Sequence, residues 1–356
     1  MSILALNGGS STIKAALFRC ENNQLVRERS WSMERPRTGN SLAFLQSDLS
    51  QAPVTIVHRV VHGGDKFSGT IALDDSSIDA LRALVPLAPL HQPFNLELID
   101  AAREQWPDAR NIACLDTAFH QTQTDLQRRY ALPRALHERG IKHYGFHGLS
   151  YAYVSRTLYT HAPELHDKRV VIAHLGSGAS MCAVRHGKSI CTSMGFSPLD
   201  GLVMGTRCGQ LDPGVILHLL REGMNTQELE KLLYKQSGLL GVSGTSADLR
   251  ELLASNDTYA QEAVQLFVNR CCEIIASLAA SMQGIDALVF TGGIGEHQSE
   301  TRARIVERLD WLGARLDTPA NLVHATRFHA ADSALQLFVI PTDEELEMVT
   351  QALLLN

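Results

Sequence analysis

The 356-residue chain lacks most of the short signatures that mark a site. It has no CxxC pair, and its seven cysteines (Cys20, Cys114, Cys182, Cys191, Cys208, Cys271 and Cys272) form no even-numbered framework, which excludes a disulfide scaffold and matches reduced cytosolic usage. Its fifteen histidines include no HExxH and no paired His/Cys spacing, so structural zinc is not expected. Walker A, GxGxxG and kinase HRD/DFG motifs are absent, which removes P-loop, Rossmann and protein-kinase sites. Basic residues are outnumbered, and the net charge of −6 argues against a nucleic-acid or membrane surface. No apolar run approaching membrane-spanning length and no signal-peptide pattern is apparent, so the expected location is cytoplasmic. Hydrophobic content of 45% and charged content of 20% are those of a globular protein, and the length suits about two domains.

What the chain does have is a repeated strand–glycine turn. Ile3–Leu6 runs into Asn7-Gly8-Gly9-Ser10-Ser11, Val170–Ala173 into His174-Leu175-Gly176-Ser177-Gly178, and Ala287–Phe290 into Thr291-Gly292-Gly293-Ile294-Gly295-Glu296. Glycine permits positive φ and close backbone approach, so such turns can aim N–H groups at phosphate oxygens. One is usually only a tight connection. Three suggest a polyphosphate or nucleotide held from several sides.

Periodicity predicts a hairpin over 3–7 and 12–18, a buried strand over 54–61, helices near 76–85 and 94–105, a strand over 111–115 and a helix over 150–161 with Ser150 as N-cap. The polar stretch 20–50 carries no clear signal. From 169 the opening pattern recurs: strand, glycine turn, strand (179–185), a His186-Gly187 turn and another strand (189–193). Helices follow at 213–222, 226–235, 246–254 and 258–283, then a helix at 298–311, a strand at 335–340 and a closing helix at 343–354. The echo implies two halves of related α/β architecture, joined near 117–147.

Several residues stand where chemistry is done. Asn7, the hydroxyls of Ser10-Ser11-Thr12 and Lys14 suit phosphates and the water shell of Mg²⁺, against a capped turn with a solvated lysine. Arg59 ends an apolar strand in His58-Arg59-Val60-Val61-His62-Gly63-Gly64, and Arg207 lies between glycines in Gly205-Thr206-Arg207-Cys208-Gly209. Either is more often structural; two in an acidic chain favour anion binding. Asp116 stands where a strand meets polar sequence, a place for a catalytic carboxylate or a helix N-cap. His91, His147 and His174 lie in loop-like contexts suited to phosphoryl oxygens. In Pro341-Thr342-Asp343-Glu344-Glu345, Thr342 reads as the N-cap and Glu345 as its capping-box partner, leaving Glu344 as the metal candidate.

These segments resemble the acetate kinase family, a branch of the superfamily of sugar kinases, Hsp70 and actin. The likeness runs nearly end to end: Asn7–Lys14, HRVVHGG at 58–64, Pro89-Leu90-His91, DTAFHQT at 116–122, YGFHG at 144–148, HLGSGAS at 174–180, TSMGFSPLDGLVMGTRCG at 192–209, SGLLGVSG at 237–244, FTGGIGE at 290–296 and IPTDEEL at 340–346. The resemblance implies two ribonuclease H-like (actin-like) domains around a nucleotide cleft, residues 1–117 with 342–356 and residues 118–341, closing during turnover. It also implies Mg²⁺-dependent, reversible phosphoryl transfer from ATP to acetate, giving acetyl phosphate and ADP, in a homodimer, with Mn²⁺ as a possible substitute ion.

By the same resemblance, Asn7 and Glu344 hold the metal, Lys14 contacts ATP, and Arg59 and His91 bind substrate. Asp116, His147 and Arg207 are catalytic, and Val61, Leu90, Phe146 and Pro198 form a small apolar acyl pocket. His174, Leu175, Gly176, Ser177 and Gly178, with Asp248, Leu249 and Arg250, and with Gly293, Ile294, Gly295, Glu296 and His297, form the nucleotide loops. The chain departs from the family pattern at Ser177 and His297, where asparagine is usual, at Tyr151, where histidine is usual, and at Gln92 within His91-Gln92-Pro93. Its 20–50 stretch is also short. A carboxylate nucleophile has a pKa of about 4 and is ionised at pH 7, so it needs no general base. Asp116 is therefore expected to orient an arginine or the metal's surroundings instead. Val61 in place of a smaller alanine favours acetate over propionate. Two other classes compete: a non-catalytic nucleotide-switched module, disfavoured by retention of Arg59, Asp116, His147, Arg207 and Glu344, and a hydroxyl kinase, which would need a base and a polar pocket.

Overall fold

The computed structural model describes residues 1–9, 12–21, 24–34, 41–46, 48, 49 and 51–355. Ser10 and Ser11 of the first glycine turn lie outside them. Along the chain run β1 (Ser2–Gly8), β2 (Thr12–Glu21), β3 (Gln24–Glu34), α1 (Ala43–Gln46), β4 (Thr55–Val60), β5 (Ile71–Ala72), α2 (Asp75–Arg82), α3 (Gln92–Gln105) and β6 (Arg110–Leu115). There follow α4 (Arg134–Glu138), α5 (Gly148–His161), β7 (Val170–Leu175), β8 (Ala179–Arg185), β9 (Lys188–Thr192), α6 (Pro213–Arg221), α7 (Thr226–Lys235), α8 (Gly238–Ser243), α9 (Leu249–Ala254) and α10 (Thr258–Ser281). The chain closes with β10 (Ala287–Thr291), α11 (Gly292–His297), α12 (Ser299–Glu307), α13 (Thr318–Leu322), β11 (Gln336–Val339) and α14 (Glu344–Leu353). Two compact units are formed: Met1–Gln121 with Phe146–Tyr153 and Asp343–Asn356, and Thr122–Gly145 with Val154–Thr342.

The first unit is a mixed sheet of order β3-β2-β1-β4-β6-β5, in which β1, β4 and β6 are parallel. Alternation along these strands decides which helix each residue meets. Ile3, Ala5, Val57, Ile112 and Cys114 pack with Met348, Val349 and Ala352 of α14, whereas Leu4, Leu6 and Ile56 pack with Phe94, Leu98 and Ala102 of α3. Both faces are covered, so the strands read as continuous apolar runs. Continuing the alternation places Asn7, Arg59 and Asp116 on the α14 face at the carboxyl ends of three neighbouring parallel strands. That edge is where open α/β sheets bind ligands.

The second unit repeats the plan, with order β11-β10-β7-β8-β9, antiparallel through β7-β8-β9 and parallel through β7, β10 and β11. The order β3-β2-β1-β4-β6 thus reappears as β9-β8-β7-β10-β11. Both units are mixed sheets with flanking helices, an α/β fold.

Four expectations are corrected. The 20–50 stretch contains β3, which among the described residues pairs only with β2 and is exposed along most of its length; an edge strand with little to bury shows no apolar alternation. Ser150 is not the cap of α5 but a buried residue inside it, because the helix starts at Gly148. Helix α8 was not anticipated, and the third glycine turn opens the short helix α11. Finally, α10 is long and apolar enough, by length and composition, to cross a membrane, contrary to the reading that nothing here is. Its residues Ala260, Val264, Phe267, Cys271, Ile275 and Leu278, three or four apart, are buried within the second unit against α8, α9, α12 and the sheet.

Candidate active site

The carboxyl edge of the first sheet carries a tight polar cluster. Arg59 donates from Nε to both Asp116 oxygens at 3.1 Å and from Nη2 to Oδ2 at 2.6 Å. Its Nη1 donates to Asn7 Oδ1 at 3.1 Å and lies 3.9 Å from Glu344 Oε2. The Asn7 amide in turn donates to Glu344 Oε2 at 2.9 Å and Glu345 Oε1 at 2.8 Å. Three of the five guanidinium N–H groups have partners among the described residues, which leaves two to meet an anion. Burial opposes the Arg59 charge, but Asp116, Glu344 and Glu345 overcome it and hold its pKa above the usual range. Burial pushes the Asp116 carboxyl up, against the pull of Arg59.

Glu345 was misread from the sequence. Asp343, not Thr342, caps α14 by accepting from Leu346 N at 2.9 Å, so Glu345 is released from capping and turns inward to Asn7. Thr342 Oγ1 is buried with no partner among the described residues. Two consecutive glutamates in the first turn of a helix are favoured by its dipole. Three carboxylates around one guanidinium leave an excess of two negative charges and an array of hard oxygen donors.

His147 belongs to the same unit. Its φ is 58°, an uncommon value for a residue other than glycine. The loop is held by Gly148 N donating to Asp116 O at 3.0 Å and by His120 Nε2 at 2.9 Å from Phe146 O. A Cβ on Gly148 would stand 2.1 Å from Asp116 O, so only glycine lets the start of α5 sit there. The backbones that carry Asp116 and His147 are therefore locked together. Tyr151, one turn on, is fully buried against the His120 and Phe119 rings.

His91 stands at the start of α3. Beside it, buried Gln92 accepts from His62 N at 3.1 Å and donates to His62 O at 3.0 Å, while Asn95 accepts from Val61 N at 3.1 Å and donates to Gly8 O at 3.2 Å. One helix start thus braces the turns after β1 and β4. Val61 and Phe146 are buried, Phe146 lies edge-on to the His62 ring at 5.9 Å, and Leu90 is exposed. Lys14 is exposed and pairs in register with Asn7 across β1 and β2, on the same face.

The second unit brings the other two glycine turns together. Thr291 pairs with His174, and a Cβ on Gly176 would lie 3.9 Å from Gly293 N and 3.8 Å from His174 Nε2. Gly292, at φ 76°, lies so close to Leu175 that a Cβ would be 2.7 Å from its carbonyl oxygen. Leu175 itself is buried, while Ser177 is exposed and Gly178 returns the chain by accepting from Gly176 N. The Glu296 carboxylate turns back on its own helix: Oε1 accepts from Gly292 N at 2.8 Å and Thr342 N at 3.0 Å. His297 is exposed beyond it. Asp248 caps α9 and pairs with the exposed Arg250, and Leu249 is buried. Arg207 donates from Nη1 to Pro198 O at 2.7 Å, and burial lowers its pKa from the usual value.

Sequence reasoning missed Arg302. It is fully buried and uses all its donors, to Gly295 O at 2.8 Å, Glu296 O at 3.0 Å, Asn321 Oδ1 and O at 2.8 Å, and His324 Nδ1 at 3.0 Å. It closes the carbonyl end of α11 and so fixes the third glycine turn from behind. Burial lowers its pKa to about 10, still protonated at neutral pH. The only sequence signal was an arginine on an apolar helical face.

A family model described as the acetokinase family matches residues 40–351. The chain belongs to the acetokinase family. It is 54% identical to an acetate kinase of Rhodopseudomonas palustris over 293 residues, 81% of this chain and 74% of that protein. With the acetate kinase of Methylocella silvestris it shares 50% over 306 residues, 85% of this chain and 76% of the other. Among solved structures, a propionate kinase from Francisella tularensis superposes with a TM-score of 0.90 at 36% identity, covering 98% of each chain. The acetate kinase of Porphyromonas gingivalis superposes at 0.88 with 32% identity, covering 100% of each. The acetokinase fold therefore accounts for both units, and ATP is the nucleotide of the family.

Proposed function

We propose that this acetokinase-family chain catalyses reversible transfer of the γ-phosphoryl group of ATP to acetate. The observation that carries the reading is the Arg59–Asp116–Asn7–Glu344 cluster, formed at the carboxyl edge of the first sheet in a member of this family. An acetate oxygen attacks the γ-phosphorus, the bond to the β–γ bridging oxygen breaks, and ADP leaves with that electron pair. No proton moves from the nucleophile, because acetate is ionised at neutral pH. Such transfer asks chiefly for positioning and charge stabilisation.

In this reading the two remaining donors of Arg59 take the acetate carboxylate, and Asp116 fixes the plane of the guanidinium. His91 assists in binding, and Val61, Leu90 and Phe146 meet the methyl group. Arg207 places positive charge on the phosphoryl oxygens, and His147 donates a hydrogen bond to them. Lys14 and the loops at 174–178, 248–250 and 293–297 hold the nucleotide, with Leu249 and Glu296 contributing through their backbones because their side chains are committed elsewhere. The carboxylate excess around Asn7 fits a hard divalent cation, so Asn7 and Glu344, with Glu345 beside them, would hold Mg²⁺, or Mn²⁺ in its place. When bound, that ion neutralises phosphate charge.

The test is incubation with ATP, Mg²⁺ and acetate followed by trapping of acyl phosphate with hydroxylamine. Hydroxamate formation is expected, with acetate used better than propionate or butyrate; no hydroxamate with any short-chain acid refutes the enzyme reading. A homodimer and a cytoplasmic location belong to the same proposal, the first tested by sedimentation of the purified chain.

A further inference from the structure

A second cluster of metal-type ligands lies in the second unit, away from the glycine turns. His166, Asp167 and His186 each offer one donor atom, and the three atoms lie within 4.8 Å of one another. Asp167 Oδ1 is 3.0 Å from Nδ1 of both histidines. Around a tetrahedral Zn²⁺, with bonds of about 2.0–2.2 Å, neighbouring ligand atoms stand about 3.3 Å apart. The cluster is thus nearly at coordination spacing before any ion arrives.

Its backbone is held independently of those side chains. His186 N donates to His166 O at 3.0 Å, and Arg185 Nε to Asp167 O at 3.3 Å. Gly187 N donates to the Tyr159 hydroxyl at 3.2 Å, and the Tyr159 ring stands edge-on to His166 at 5.0 Å. His186 and Gly187 form the two-residue turn between β8 and β9, both with positive φ, 53° and 68°. Such turns favour Asn-Gly. A histidine here directs an imidazole at Asp167 at some cost to the turn. Stability does not explain the arrangement, since the three side chains are 50–77% exposed and exposed pairs contribute about 0–1 kcal/mol.

We propose that His166, Asp167 and His186 form a surface site for a late first-row divalent cation, with Zn²⁺ as the representative ion. Two imidazoles and one carboxylate suit Zn²⁺, Ni²⁺ or Cu²⁺ and discriminate against Mg²⁺, which prefers oxygen ligands. Solvent exposure leaves the remaining coordination positions to water. The site sits at the amino end of β7, about 17 Å by strand length from the glycine turn at its carboxyl end. An ion there would clip the start of β7 to the β8–β9 hairpin without touching phosphates.

The experiment is calorimetric titration of the full, chelator-treated chain with ZnCl₂, beside His186→Asn and Asp167→Asn, and with MgCl₂ as control. His186→Asn restores the favoured Asn-Gly turn and should fold at least as well as the parent. The expected result is a Zn²⁺-binding event in the parent chain that both substitutions weaken by tenfold or more, that Mg²⁺ does not produce, and that perturbs the His166 and His186 imidazole resonances. Phosphotransfer with Mg²⁺ should be the same in all three proteins. A parent chain that binds no Zn²⁺, or a variant that reproduces the parent isotherm, overturns the proposal.

Discussion

Replacing Asp116 by asparagine tests whether this carboxylate positions Arg59 or handles a proton. Asp116 is 1% exposed and takes N–H bonds from Arg59 at 2.6 and 3.1 Å. Asparagine keeps one acceptor oxygen and turns its NH₂ toward the guanidinium, donor against donor. Hydrogen bonds to charged groups contribute about 1.5–3 kcal/mol each, and breaking a buried pair costs about 3–5 kcal/mol. A loss of about 3 kcal/mol in holding Arg59 corresponds to about a 10²-fold fall in kcat/KM for acetate. The assay is the hydroxamate rate from about pH 6 to about pH 9. Because the nucleophile is already ionised, the variant should keep the parent's profile shape at reduced height. A limb of the profile that disappears would make Asp116 a proton-transfer group, and a fall of less than about threefold would show that the ion pair does not position Arg59.

Three further outcomes are expected. Burial lowers the pKa of His58 and of His62 from 6.5 to about 4, and Gly64 N donates to His62 Nδ1 at 2.9 Å, which requires that nitrogen unprotonated. A pKa depressed on folding gives stability that is full above about 6.5 and lost as pH falls toward about 4, of order 3 kcal/mol for each ring; denaturant titrations at neutral and acid pH should show this, and His58→Gln should flatten the dependence, an unchanged slope refuting it. Arg302→Lys leaves at least two of the five acceptors around Arg302 without a donor and should raise the KM for ATP several-fold while the KM for acetate stays within about twofold; equal changes in both would deny Arg302 a specific hold on the third glycine turn. Val61→Ala should shift the kcat/KM ratio toward propionate by about tenfold, as one methylene of pocket space allows; an unchanged ratio removes Val61 from the acyl pocket.

Much of the site was readable because its parts are local. Asn7, Arg59 and Asp116 each stand at or next to the end of an apolar strand, with glycine or polar residues within three positions, so strand alternation and turn chemistry marked them. The repeat of the opening hairpin after residue 169 was visible for the same reason. Glu345 shows where local reading fails: Thr342 and Glu345 carry the spacing of a capping box, yet Asp343 took the free N–H of Leu346, and Glu345 found Asn7, 338 residues away in the chain. Strand β3 hid because an edge strand buries little, and α10, not read as a membrane span, has the length and composition of one although the rest of its unit covers its apolar face.

The sequence by itself determined which residues bear charge, which segments alternate and where the backbone must turn, since these depend on neighbours a few positions apart. Tertiary structure decided which charges meet. It set one guanidinium among three carboxylates from opposite ends of the chain, set Arg302 behind the third glycine turn, and set His186 beside Asp167. Those pairings depend on strand order and helix placement, which bring together groups that no spacing along the chain connects.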